Sequence, residues 1–211
     1  MNEETHQEIL GAISGKFGKI TENRFDSIGP TIGNELKKKS VTAIIVLLLA
    51  VVIYLAIVFR KLSSVLSPWA MGIAAIAGLV HDVLVPIGLF ALLGRYLGIE
   101  ITSIFVAAAL TILGYSISDS VVVFDRIREN VLRFGARENF GETVHKSILQ
   151  TLVRSLNTTF TTLLSLVAIF FFGGETIKYF ALALIVGVFC GAYSSIFIAS
   201  PILVWWGKGR K

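Results

Sequence analysis

Residues 41–59, VTAIIVLLLAVVIYLAIVF, run for nineteen positions without a single charge. A helix that crosses the roughly 30 Å hydrocarbon core of a bilayer needs about 20 apolar residues. In lipid the backbone polar groups of such a segment are satisfied only within a helix or a closed barrel. The run therefore reads as a membrane-spanning helix. Four more follow: 68–94, interrupted only by His81 and Asp82; 101–124; 155–172, entered from Arg154; and 179–206, closed by Trp205 and Trp206, where an interfacial anchor belongs. The whole chain agrees, with 55% hydrophobic and 16% charged residues and a mean hydropathy of +0.78. These features predict an all-α polytopic membrane protein of five spans, with its chain ends on opposite sides of the bilayer.

Basic residues near the span ends predict the orientation. Arg60 and Lys61, then Arg126, Arg128, Arg133, Arg137, Lys146 and Arg154, then Lys208, Arg210 and Lys211 all fall on one side, eleven of the nineteen in the chain. That side is assigned to the cytoplasm. The short loops of the other side hold only Arg95 and Lys178, although Lys37, Lys38 and Lys39 precede the first span on the same side and oppose the assignment. The inside-positive loops account for the net charge of +5, and no nucleic acid is implied. The cytoplasmic loop 125–154, with Ile127, Val131 and Leu132, is amphipathic and expected to lie along the membrane surface.

Residues 1–40 carry equal numbers of acidic and basic side chains and no long apolar run. Ile9, Leu10, Ile13 and Phe17 have helical spacing, and the following KITENRFDSIGP alternates loosely until Gly29 and Pro30 stop it. A helix and a strand form half of a small α/β unit, too short to bury a core alone. The segment has no secretory signal.

Ionisable residues inside spans are costly and face a bundle interior or water, which makes Asp82, Asp119 and Arg154 the candidates for function. Asp119 shares a helical stripe with Ala108, Thr111, Tyr115, Val122 and Arg126, and lies about 9 Å of helix rise inside Asp125. In the fourth span Arg154, Asn157, Thr158, Thr161 and Ser165 fall near one line. Together the two stripes are expected to form a hydrated seam in which Asp119 loads and releases a proton, with the Arg154 guanidinium favouring the ionised carboxylate. A structural ion pair between Asp119 and Arg154 is the competing reading. His81 and Asp82 lie four residues before Pro86, whose missing N–H frees the Asp82 carbonyl; a kink or a hydrated pocket serves equally well. His6 and His145 read as surface residues, and Cys190 as buried packing. Gly187 and Gly191 give a GxxxG spacing suited to close helix contact, with Ser194 and Ser195 below it.

HExxH, paired cysteine, Walker and GxSxG motifs are missing, so metalloprotease, redox, nucleotide-hydrolase and lipase chemistry lack their minimal residues. No enzymatic activity, cofactor or metal is expected.

GYSISDSVVVFDRIREN (114–130), GLVHDVLVPIGLFALLG (78–94), RSLNTTFTTLLSLVAIFFFGG (154–174) and ALALIVGVFCGAYSSIFIASPILVWW (181–206) closely resemble the SecF family, one half of the bacterial SecD–SecF protein-export factor. The resemblance runs in order through about residues 25–206. It implies a transmembrane bundle of the resistance-nodulation-division type in the cytoplasmic membrane, partnership with SecD and the SecYEG channel, and proton flow that drives pulling on a translocating polypeptide. By the same resemblance Asp119 is the proton-pathway acid, Arg154 the arginine opening the next helix, and Asp82 part of a His-Asp element. The family's first span and most of its periplasmic domain have no counterpart here, as in a fragment, a split gene product or a mis-called start; residues 6–30 resemble only the closing helix and strand of that domain. A proton-driven small-molecule exporter and an intramembrane aspartyl protease built on Asp82 and Asp119 are the alternatives.

Overall fold

The computed structural model describes residues 3–18, 30–60, 68–99, 103–134 and 139–208. All regular structure among them is helical: α1 (Glu3–Phe17), α2 (Pro30–Val58), α3 (Pro68–Leu97), α4 (Ser103–Phe134), α5 (Phe140–Phe172) and α6 (Glu175–Ser194), then a π-helical turn (Ser195–Ala199) leading into α7 (Ser200–Lys208). Five stretches are long and apolar enough to cross a membrane: Lys38–Val58, Trp69–Leu97, Ile104–Arg133, Phe140–Phe172 and Ile177–Gly207. The protein is thus a multi-pass helical membrane protein.

The chain divides into two units, Met1–Ile45 and Val46–Lys211. In the first, α1 has the helical spacing expected, yet Ile9, Ile13 and Phe17 on its apolar stripe stay exposed. The strand expected after it, at 19–29, lies outside the described residues.

In the second unit α6 is the central helix, packed against α3, α4 and α5. Its sequence explains why. Between spans the hydrophobic effect offers little, because lipid is as apolar as leucine, so association depends on close van der Waals approach by small residues. Gly187 faces Ile112 of α4, where an added Cβ would fall 2.3 Å from the isoleucine side chain; Gly191 faces Ser116, one turn further on. Ala183, Leu184 and Val188 close a core with Phe90 of α3, Phe105, Ala108 and Ile112 of α4, and Leu166 of α5. Toward the other end, Phe59 just past α2 meets Phe124 edge-on with ring centroids 6.3 Å apart, under the guanidinium of Arg128.

Residues 125–154, read from sequence as a surface loop, are helical throughout their described part except for Asn139, which caps α5 by accepting a hydrogen bond from the Gly141 N–H at 3.0 Å. The reason is that α4 and α5 have something to bury beyond their apolar spans. Ile127, Val131 and Val144 are buried, and buried Asn130 donates to Ser147 Oγ at 2.8 Å and to Gln150 Oε1 at 2.9 Å. Arg126 Nε adds a second donor to Gln150 at 2.6 Å. Polar contacts thus hold α4 to α5 where the lipid-facing pattern ends. At the far end of α3, Gly98 adopts φ +68° and its N–H returns to the Gly94 carbonyl, a left-handed stop that favours glycine.

The close contact at Gly187 yields a prediction. Gly187→Ala should destabilise the bundle by about 1–3 kcal/mol through overpacking, measured by thermal or denaturant unfolding in detergent. Adding Ile112→Ala, which vacates the contested space, should recover part of that loss.

Candidate functional site

Two carboxyls lie inside the second unit, each held by serine hydroxyls from other helices. Asp82 of α3 is fully buried. Its Oδ2 accepts hydrogen bonds from Ser116 of α4 and, at 2.7 Å, from Ser194 at the end of α6; both serines are fully buried. His81 Nδ1 lies 3.0 Å from Oδ1, and the imidazole is about one-third exposed. These contacts explain a carboxyl in a span: with no lipid-side solvent, a buried polar group needs partners within the protein.

Asp119 of α4 is half-buried. Oδ1 accepts from Ser155 of α5 at 2.5 Å, and Oδ2 accepts from Ser195, the first residue of the π-turn, at 2.9 Å. Ser194 and Ser195 are consecutive, so one step of backbone reaches both acids. That step coincides with the change of helix type; π-turns inside α-helices recur at functional sites. The Ser195 carbonyl in turn accepts from Ser200 Oγ at 2.7 Å. No hydrogen bond joins the two carboxyls to each other.

Arg154 is exposed, and no ion pair joins it to Asp119; the neighbouring residue, Ser155, holds the acid instead. The stripe expected to meet Asp119 is on an outer face of α5. Asn157, Thr158, Thr161 and Ser165 are all exposed, and the three hydroxyls donate to carbonyls of their own helix, those of Arg154, Asn157 and Thr161. Thr111 behaves in the same way, donating to the Ala107 carbonyl at 2.8 Å. Tyr115 is half-buried, its hydroxyl 3.5 Å from Thr162 Oγ1.

The buried face of α5 is a second hydroxyl stripe, missed from sequence: Thr143, Ser147, Thr151, Ser155 and Thr159, one every fourth residue. Ser147 and Thr151 donate to the carbonyls four residues back, at 2.6 Å and 3.0 Å. Ser155 donates across to Asp119. The period of four was visible in the sequence, and so was the Ser194–Ser195 pair, which suggested packing alone. Among the described residues no group of three His, Cys, Asp or Glu side chains could hold a metal ion.

The class these observations define is a polytopic membrane bundle with titratable groups hydrogen-bonded between its spans. The model of the family described as "Protein export membrane protein SecD/SecF, C-terminal" matches residues 9–209, and the chain belongs to that family. It is 49% identical over 195 residues to the protein translocase subunit SecF of Thermobaculum terrenum, covering 92% of this chain and 60% of that one. It is 42% identical to the SecF subunit of a Synechocystis species, over 98% of this chain and 62% of that one. The crystal structure of SecDF, a translocon-associated membrane protein from Thermus thermophilus, superposes with a TM-score of 0.82 at 40% identity, covering all of this chain and 27% of SecDF. The chain thus spans about three-fifths of the length of the SecF subunits it matches.

The Asp82 contacts carry a prediction. Asp82→Ala leaves two buried hydroxyls without their acceptor, whereas Asp82→Asn keeps a carbonyl oxygen in place. The alanine variant should be less stable than the asparagine variant by about 1–3 kcal/mol, read from unfolding in detergent.

Proposed function

We propose that this chain is the transmembrane part of a protein-export subunit that assists Sec-dependent translocation across the bacterial cytoplasmic membrane, coupled to the proton motive force. Asp119 carries the reading. It is an acid inside a span, partly reachable, and held by hydroxyls from α5 and the π-turn. A carboxyl so placed takes and gives a proton, and each change of charge alters which hydroxyls it holds.

The partners follow from the relatives. One is a fused SecDF and is described as translocon-associated, which supports SecD and the SecYEG channel as partners and a translocating polypeptide as the load. The outer polar face of α5, with Arg154, Asn157, Thr158, Thr161 and Ser165, is unsuited to lipid. We assign it to a hydrated seam against SecD, while membrane lipid covers the apolar faces. Arg154 is then the partner that Asp119 meets in another conformation: apart here, paired when the acid is ionised and the seam closes.

In this reading the bundle is of the resistance-nodulation-division type, and residues 1–40 are a remnant of a periplasmic α/β domain leading into the first span. The α4–α5 connection and the C-terminal tail lie in the cytoplasm, following the basic residues. The role is transport, not catalysis. An aspartyl protease needs two carboxyls that share a proton, whereas Asp82 and Asp119 each have their own serine donors. No observation favours a small-molecule exporter.

Two measurements test the reading. Asp119→Asn keeps the shape of the side chain and removes its titratable proton. Export in a strain with no other copy should therefore fall to background while the amount of protein in the membrane is unchanged; near-normal export would reject the proton role. Cysteines at Thr158 and Thr161, in a Cys190→Ser background, should react with small polar thiol reagents and become protected when SecD is co-expressed. Equal labelling with and without SecD would remove the seam from that interface.

A further inference from the structure

The proton role of Asp119 leaves Asp82 unused, although Asp82 is the more deeply buried of the two. A carboxylate fully removed from water is retained only when paired or neutralised. The hydroxyls of Ser116 and Ser194 supply hydrogen bonds but no charge, and among the described residues the contacting side chain able to carry a proton of its own is His81. His81 is also the exposed member of the pair, its ring 6.1 Å from that of Tyr193 on α6. The pair therefore joins a buried acceptor to a partly exposed base beside it.

The surroundings hold little else that titrates. On α3, Arg95 and Tyr96 are far along toward the helix end. On α4 there is Asp119, and on α6 there are Cys190, within electrostatic reach of Asp82, and Tyr193. Around Asp119, α5 brings Arg154 one residue from the serine donor, and the π-turn brings no charged group.

We propose that His81 and Asp82 form a second proton-binding site of the bundle, coupled to Asp119 through the consecutive hydroxyls of Ser194 and Ser195 at the entry to the π-turn. Each hydroxyl has one hydrogen and two acceptors in reach. Ser194 Oγ lies 2.7 Å from Asp82 Oδ2 and 3.3 Å from the Gly191 carbonyl; Ser195 Oγ lies 2.9 Å from Asp119 Oδ2 and 3.1 Å from the Ala192 carbonyl. An ionised carboxylate holds the hydroxyl hydrogen. When the carboxyl takes a proton it becomes a donor itself, and the serine hydrogen turns back to the helix carbonyl. The Gly191 carbonyl already accepts the Ser195 N–H. A proton at Asp82 thus alters, through Ser194, the backbone hydrogen bond that positions the serine holding Asp119. The coupling moves hydrogen bonds and requires no proton wire between the acids.

The proposal rests on Asp119 being a proton-carrying acid, and its test does not depend on export. The full chain in liposomes is titrated with pH while infrared difference spectra record protonated carboxyl bands, assigned with Asp82→Asn and Asp119→Asn. Two titrating bands are expected, and Asp82→Asn should change the proton affinity of Asp119 by about fivefold or more, the lower end of ordinary site coupling. In Ser194→Ala/Ser195→Ala the same Asp82→Asn change should leave Asp119 unmoved; where that pair of changes prevents insertion, Ser194→Ala alone breaks the link and is used instead. Absence of a titrating Asp82 band, or an unchanged Asp119 in Asp82→Asn, overturns the second site while leaving the role of Asp119 intact. A shift that persists without the serines means that coupling runs through space, which rejects the proposed route. An Asp119 that never titrates overturns both readings.

Discussion

The bundle depends on how closely α6 can approach α4. In lipid, two helices gain little from hiding apolar surface, so they associate where small side chains let their backbones meet and their polar groups pair. Gly187 and Gly191 provide that approach against Ile112 and Ser116. The consequences run down the same helix. With Gly191 against Ser116, the end of α6 reaches the plane of Asp82, and Ser194 and Ser195 arrive between the two acids. A bulkier residue at either glycine would move the serines as well as the packing.

The two acids answer one physical demand in different ways. Asp82 is sealed, with two serine hydroxyls and a neighbouring imidazole. Asp119 is only half-buried, and its donors sit on α5 and on a turn of altered helix type. Hydroxyls suit such sites because they act as donor or acceptor after a small rotation. A lysine or arginine in their place would hold either carboxylate ionised. Arg154 is exposed and lies one residue from the serine that holds Asp119, without pairing with the acid.

Side-chain hydrogen bonds join α4 to α5 where their most apolar stretches end. Asn130, Ser147, Gln150 and Arg126 bind the two helices together where each leaves its apolar stretch. Helix continued through both sides keeps the donor and the acid in register.

How much of this was legible in the sequence differs from feature to feature. The five spans were, because an apolar run long enough to cross a bilayer has essentially one solution, as were Asp82 and Asp119, because an acid in such a run stands out against its neighbours. The glycine pair pointed to a close contact for the same reason. What the sequence could not decide was which face of α5 turns inward. Two polar stripes run along that helix, Asn157–Thr158–Thr161–Ser165 and Thr143–Ser147–Thr151–Ser155–Thr159, and only the second is buried. Outside and inside a membrane bundle are both apolar, and on each face most threonine and serine hydroxyls bond to carbonyls of their own helix. Polarity therefore carries no arrow. The choice came from the tertiary structure, through the approach of α6 and through Ser155, the α5 serine whose hydroxyl leaves its helix to meet an acid.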